Sequence, residues 1–200
     1  MTSLSDKFTI RPALPEDAAK FAQFSGEEMV RAAAHKYSTS DLENRLKTTY
    51  SAEACLTYIS NTTIQIYLAT ESSPSGQVIV GYTMVGPLDM PLEKCDLSTL
   101  LKEEKPTLET LNEIQANSGE VGKLFIHPSQ FGNGLAQELM RVGIEWLRNR
   151  GFKHIFVGTN HDYYRAQRFY SKLGFQKVGE YEFSFGESHN TVEFILLLKE

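Results

Sequence analysis

Two cysteines, Cys55 and Cys95, are too few for a disulfide framework or a cysteine-built zinc site. The five histidines show no metal-ligand spacing, so no metal is expected. Basic charge is also short. Lysine and arginine number 20 against 25 aspartates and glutamates, a net charge of −5. That balance excludes the cationic field on which non-specific nucleic-acid binding depends. Nowhere do the roughly 18 apolar residues of a membrane span run together, and the opening Met1–Phe8 has no apolar signal region. The expectation is a soluble, cytoplasmic protein without membrane or nucleic-acid partners. What the chain does have is 41% hydrophobic residues, enough for a packed core and against disorder. Its 200 residues suit one domain, 1–200.

The apolar pattern alternates between the periods of strand and helix, which predicts mixed α/β structure. Residues 8–11, 62–70 and 78–85 read as strands, the last two joined as a hairpin by Ser72-Ser-Pro-Ser-Gly76. Pro15-Glu-Asp opens a helix and residues 41–46 form a second helical piece. A helical insert is expected at about 87–118, with pieces at 97–105 and 107–117 split by Pro106. Residues 87–120 hold eight acids and three lysines, so the whole net charge falls there. Such a run is either a solvated face or an acidic lid over a cationic substrate.

Stronger signals follow. Glu120–Ile126 is a strand ended by His127-Pro128, and Phe131-Gly-Asn-Gly134 is a glycine turn before a helix over 135–150. The first amides of a helix have no intrahelical acceptor and carry the positive end of its dipole, so such a turn can hold a diphosphate. Gly132 and Gly134 keep Cβ atoms out of the way. The loop has neither the lysine of a P-loop nor the Rossmann spacing. A strand at 154–159, a helix carrying Ala166, Phe169, Tyr170 and Leu173, and two late strands, 175–185 and 191–198, complete the chain.

The order strand, His127-Pro128, x-x-x-Gly132-x-Gly134-x-Ala136, helix, strand and Ala166-x-x-Phe-Tyr170-x-x-Leu-Gly-Phe175 resembles the GCN5-related N-acetyltransferase (GNAT) superfamily. The resemblance implies a mixed, mostly antiparallel sheet of six or seven strands flanked by helices, with an acyl-CoA cleft between strands 4 and 5. It implies acetyl-CoA as co-substrate and acetyl transfer to a primary amine. Its cofactor-binding positions fall on Phe125 and Ile126, whose amides would polarise the thioester, on Phe131, Gly132, Asn133, Gly134, Leu135 and Ala136 of the loop, and on Asn160. Lys172, with Arg168, is placed to reach the CoA 3′-phosphate. Tyr170 matches the family's general acid and Glu120 an acid usable as base. Phe131 stands where the family usually has arginine or glutamine, with Gln130 one place earlier. That departure motivates an alternative, a non-catalytic CoA-binding sensor or interaction module.

The acceptor is read more loosely. Phe183-Ser-Phe-Gly-Glu-Ser-His-Asn-Thr-Val-Glu193 and Tyr37-x-x-x-Asp41-Leu resemble bacterial spermidine/spermine acetyltransferases of the Pai type. This implies a small amine or polyamine; a protein or peptide N-terminus, and an amino acid or an antibiotic, stay open as other acceptors. A monomer and a homodimer are both compatible with the sequence.

Overall fold

Alternate residues of one strand face opposite sides of a sheet, and here both sides are covered. The structure is a computed structural model that describes residues 7–74, 76–95, 107–184 and 190–199. Its strands are β1 (Thr9–Pro12), β2 (Gln65–Ser73), β3 (Gly76–Pro87), β4 (Ser118–Ile126), β5 (His154–Asn160), β6 (Phe175–Ser184) and β7 (Asn190–Leu198). They form one seven-stranded sheet in the order β1-β2-β3-β4-β5-β7-β6, antiparallel except for β4 and β5. The expected mixed sheet flanked by helices is thus present, and so is the β2–β3 hairpin, closed at Ser73 and Gly76.

The helices are α1 (Ala18–Ala33), α2 (Thr39–Thr49), α3 (Ala52–Ser60), α4 (Leu108–Ala116), α5 (Leu135–Asn149) and α6 (Tyr164–Lys172). On β2, Ile66 and Leu68 pack with Phe21, Phe24 and Cys55 of α1 and α3, while Ala69 packs with Leu135 and Leu139 of α5. The sheet therefore separates α1 and α3 from α5. Helix α5 lies close because Gly143 has no side chain: a Cβ there would sit 2.9 Å from Val85 Cγ1. Helix α6 joins the same core through Tyr170, against Phe175, Val157 and Leu196.

Two readings of the sequence need correction. Helix α3 was not foreseen, because Thr57, Tyr58 and Ile59 favour strands; its Ser51 cap, which accepts from Ala54 N, and its burial of Cys55 outweigh that preference. The second helical piece is longer than 41–46, running Thr39–Thr49 from a Ser38 cap. In the acidic insert, the expected helix at 107–117 is α4, and the one at 97–105 lies outside the described residues.

Candidate active site

Strands β4 and β5 pair only from Ser118–Val121 to His154–Val157. Beyond that they diverge, leaving the end of each without its neighbour. Two cavities open at the gap. A larger one, about 740 Å³, lies among Leu124, Ile126, Phe131, Arg165, Phe169 and Tyr170. A smaller one, about 300 Å³, lies among Arg45, Tyr50, Glu120, Lys123, Tyr181 and Phe183. Gly122, Lys123, Phe125, Gly158, Asn160, Tyr163 and Glu193 line both, so the two cavities meet at the gap.

A bulge decides what faces them. Met84 pairs with Lys123 but Val85 pairs with Val121, so Gly122 is an extra residue in β4. Without it, Glu120 and Lys123, three apart, would point to opposite faces. With it, both line the smaller cavity, while Val121 packs into the core under α5. The bulge site suits glycine, since a Cβ there would lie 3.0 Å from Glu120 Oε1. Further along β4, His127 N donates to Val80 O, so by ladder alternation the Phe125 amide faces β3 and those of Leu124 and Ile126 face the gap. Of the two amides expected there, Ile126 is so placed and Phe125 is not; Leu124 takes its place.

The loop before α5 holds a mixed set of amides. Phe131 N donates to Pro128 O at 3.1 Å, and Leu135 N to the Asn133 side chain at 3.1 Å. Those two of the expected phosphate donors are therefore occupied, and Leu135's side chain is wholly in the core. The amides of Gly132, Asn133, Gly134 and Ala136 have no acceptor among the described residues. Gly132 and Gly134 hold φ of 82° and 89°, the left-handed region that only glycine enters at low cost. Asn133 Nδ2 also donates to Gln130 Oε1, and Gln130 donates to Glu71 at 2.8 Å, so Gln130 braces the loop. Phe131 is half exposed and carries the Arg165 guanidinium 3.6 Å from its ring centroid, which delivers a cation to the cavity mouth.

Tyr170 lies with its ring against Phe169 and Phe175, at 5.4 and 5.8 Å. Its hydroxyl has no hydrogen-bond partner among the described residues, and the residue lines the larger cavity. Burial, then the nearby Glu193 charge, raises its pKa. Glu193 is itself raised by burial, against a hydrogen bond from Asn160 and the charges of Lys36 and His161. Burial lifts Glu120 to about 7, partly opposed by the Asp89 N–H that donates to its Oε2 at 3.1 Å. Burial and then the Arg45 charge lower Lys123 to about 8.

Glu193 was missed; the signal was one acid inside the apolar run Thr191–Leu198. Asn160 is buried and lines both cavities, but its side chain is committed: Oδ1 accepts from Lys36 Nζ at 2.7 Å and Asp162 N at 3.0 Å, and Nδ2 donates to Thr191. It positions the β5–α6 turn. Lys172 is exposed at the far end of α6 and does not line either cavity.

A family model described as the acetyltransferase (GNAT) family matches residues 65–175. Over 70 residues the chain is 36% identical to an uncharacterized N-acetyltransferase of Mycobacterium tuberculosis (strain ATCC 25618 / H37Rv), a stretch that is 35% of this chain and 45% of that protein. The chain thus spans under half the length of that curated relative. Among solved structures, the PaiA N-acetyltransferase from Thermoplasma acidophilum, in complex with coenzyme A, is similar with a TM-score of 0.67 at 18% identity, over 96% of this chain and 99% of that one. An acetyltransferase from Salmonella typhimurium with its cofactor acetyl-CoA gives a TM-score of 0.59 at 18% identity, over 96% and 94%. At such identities the likeness concerns the fold.

Proposed function

Since this chain belongs to the acetyltransferase (GNAT) family, we propose that it transfers an acetyl group from acetyl-CoA to the primary amine of a small molecule. The observation that carries this reading is the gap between β4 and β5, where one cavity can take the acyl donor and the other its acceptor. Acetyl-CoA suits the larger cavity and the loop that adjoins it at Phe131. The amides of Gly132, Asn133, Gly134 and Ala136, which have no acceptor among the described residues, and the Arg165 cation are for phosphates, and Leu124, Ala166 and Phe169 for an apolar arm. The arrangement answers the departure at Phe131, because the stacked arginine supplies the cation that phenylalanine lacks.

When bound, acetyl-CoA supplies the acetyl group as a thioester; the new N–C bond forms as the C–S bond breaks. The chain's residues then divide the work. The Leu124 and Ile126 amides face the gap and are available to a carbonyl oxygen. Glu193, or Glu120 directly or through water, takes the proton from the acceptor ammonium. Tyr170 O–H gives its proton to the departing sulfur and recovers it from solvent or the carboxylate. Glu120 with a pKa near 7 is poised for transfer at neutral pH.

A polyamine is one member of this acceptor class. Of the described acids of the 87–120 segment, Asp89, Glu93, Glu109, Glu113 and Glu120, only Glu120 lines either cavity. The test is thiol release from acetyl-CoA across a panel of small amines, with wild type and Tyr170→Phe. Release with at least one amine, reduced about 100-fold or more by the substitution, is expected. Coenzyme A binding without release on the whole panel would favour the non-catalytic reading instead.

A further inference from the structure

The smaller cavity carries charges of both signs. Lys123 is largely enclosed, its Nζ lying 4.6 Å from the Tyr50 ring centroid and 5.5 Å from that of Tyr58. It forms no ion pair with any described residue. No carboxylate of the described residues supports its charge, and a second cation, Arg45, is near it, its guanidinium 5.9 Å from the Phe183 ring centroid. An enclosed ammonium is costly unless an anion meets it. The same cavity also holds Glu120 and Glu193. Two carboxylates and two cations around about 300 Å³ complement a molecule that bears one charge of each sign.

We propose that the acceptor is an aminocarboxylate: its carboxylate rests on Lys123 and Arg45, and its amine lies toward Glu120 and Glu193. The proposal rests on the acetyltransferase reading and names the substrate class of that site. The Gly122 bulge is what makes it work, because it turns Lys123 to the same side as Glu120. A polyamine, with a second ammonium in place of the carboxylate, would set like charge against Lys123 and Arg45 in a poorly hydrated space. The aromatic walls, Tyr50, Tyr181 and Phe183, leave the remainder of the acceptor apolar surroundings.

Matched pairs test this on the full chain. Thiol release from acetyl-CoA is measured with α- and ω-amino acids and with the amines left by removing their carboxylate: phenylalanine and phenethylamine, ornithine and putrescine, 4-aminobutyrate and propylamine, with spermidine added. For at least one pair, kcat/KM for the acid is expected to exceed that for its amine about tenfold or more. Lys123→Met, which keeps the length of the stem, should raise KM for the acid and bring the ratio toward one. Thermal unfolding of the variant checks its fold, which loses the contacts of the ammonium with the Tyr50 and Tyr58 rings but no ion pair among the described residues. If amines turn over and the acids do not, or spermidine is the best acceptor, the aminocarboxylate proposal fails and the acetyltransferase reading stands. A ratio unchanged in folded Lys123→Met also overturns it. If nothing turns over and calorimetry shows no coenzyme A binding, both fail.

Discussion

Replacing Glu120 by glutamine should make the protein more stable at alkaline pH and less active, and the structure sets the size of the first effect. Burial raises this carboxyl from 4.5 to about 7. A folded-state pKa above the unfolded one means that folding favours the protonated acid. The fold is unburdened below the unfolded pKa and loses stability as pH rises through 4.5 to 7, after which the loss is constant. The shift of about 2.5 units amounts to about 3 kcal/mol at about pH 8, and under about 1 kcal/mol at about pH 5. Glutamine cannot ionise, and its carbonyl oxygen can still accept the Asp89 N–H that Glu120 Oε2 accepts at 3.1 Å. The variant should therefore gain about 6–12 °C in Tm at the higher pH and little at the lower. Denaturant unfolding of both proteins at the two pH values measures it. Taking the difference between variant and parent at each pH removes the other titrating groups, Lys123 included. An equal gain at both pH values, or a loss at the higher one, would refute the reasoning that burial of this carboxylate is the cause. The accompanying fall in kcat would mark a group kept ionisable at a cost to the fold.

Arg165→Ala should weaken coenzyme A about three- to thirtyfold, the worth of an exposed cation held on an aromatic face and offered to phosphate; calorimetry reads it, and an unchanged Kd removes Arg165 from the cavity's function. Gly143→Ala should destabilise by about 1–3 kcal/mol, although alanine is the better helix former by about 1 kcal/mol, because the new Cβ meets Val85 Cγ1 at 2.9 Å; a rise in Tm would contradict the close approach of α5 to β3.

Local chemistry made much of the β4–α5 and α6 side readable. A proline closing β4, glycines at 132 and 134 whose φ values are 82° and 89°, and the apolar stripe of α5 are short-range features, and each stands where the sequence placed it. The tyrosine of α6 was legible for the same reason: Ala166, Phe169, Tyr170 and Leu173 share one helix face, and that face packs against the core, with Tyr170 buried in it. The details of those amides were not legible. Asn133 turns back to accept from Leu135 N, and the pairing of Phe125 with Tyr82 directs its own amide to β3; both depend on neighbours the motif does not name.

By itself, then, the amino-acid order determined most of the strands and helices (though not α3), the glycine turn before α5, and the class of fold. Only the tertiary structure decided which charges share a cavity. Side-chain parity along β4 changes at Gly122, and one inserted residue moves Lys123 across the sheet to Glu120. Arg45 reaches them from α2 and Glu193 from β7, nearly 150 residues further along the chain. Periodicity can register a face within one element, but a bulge resets the period, and the meeting of distant elements is set by packing.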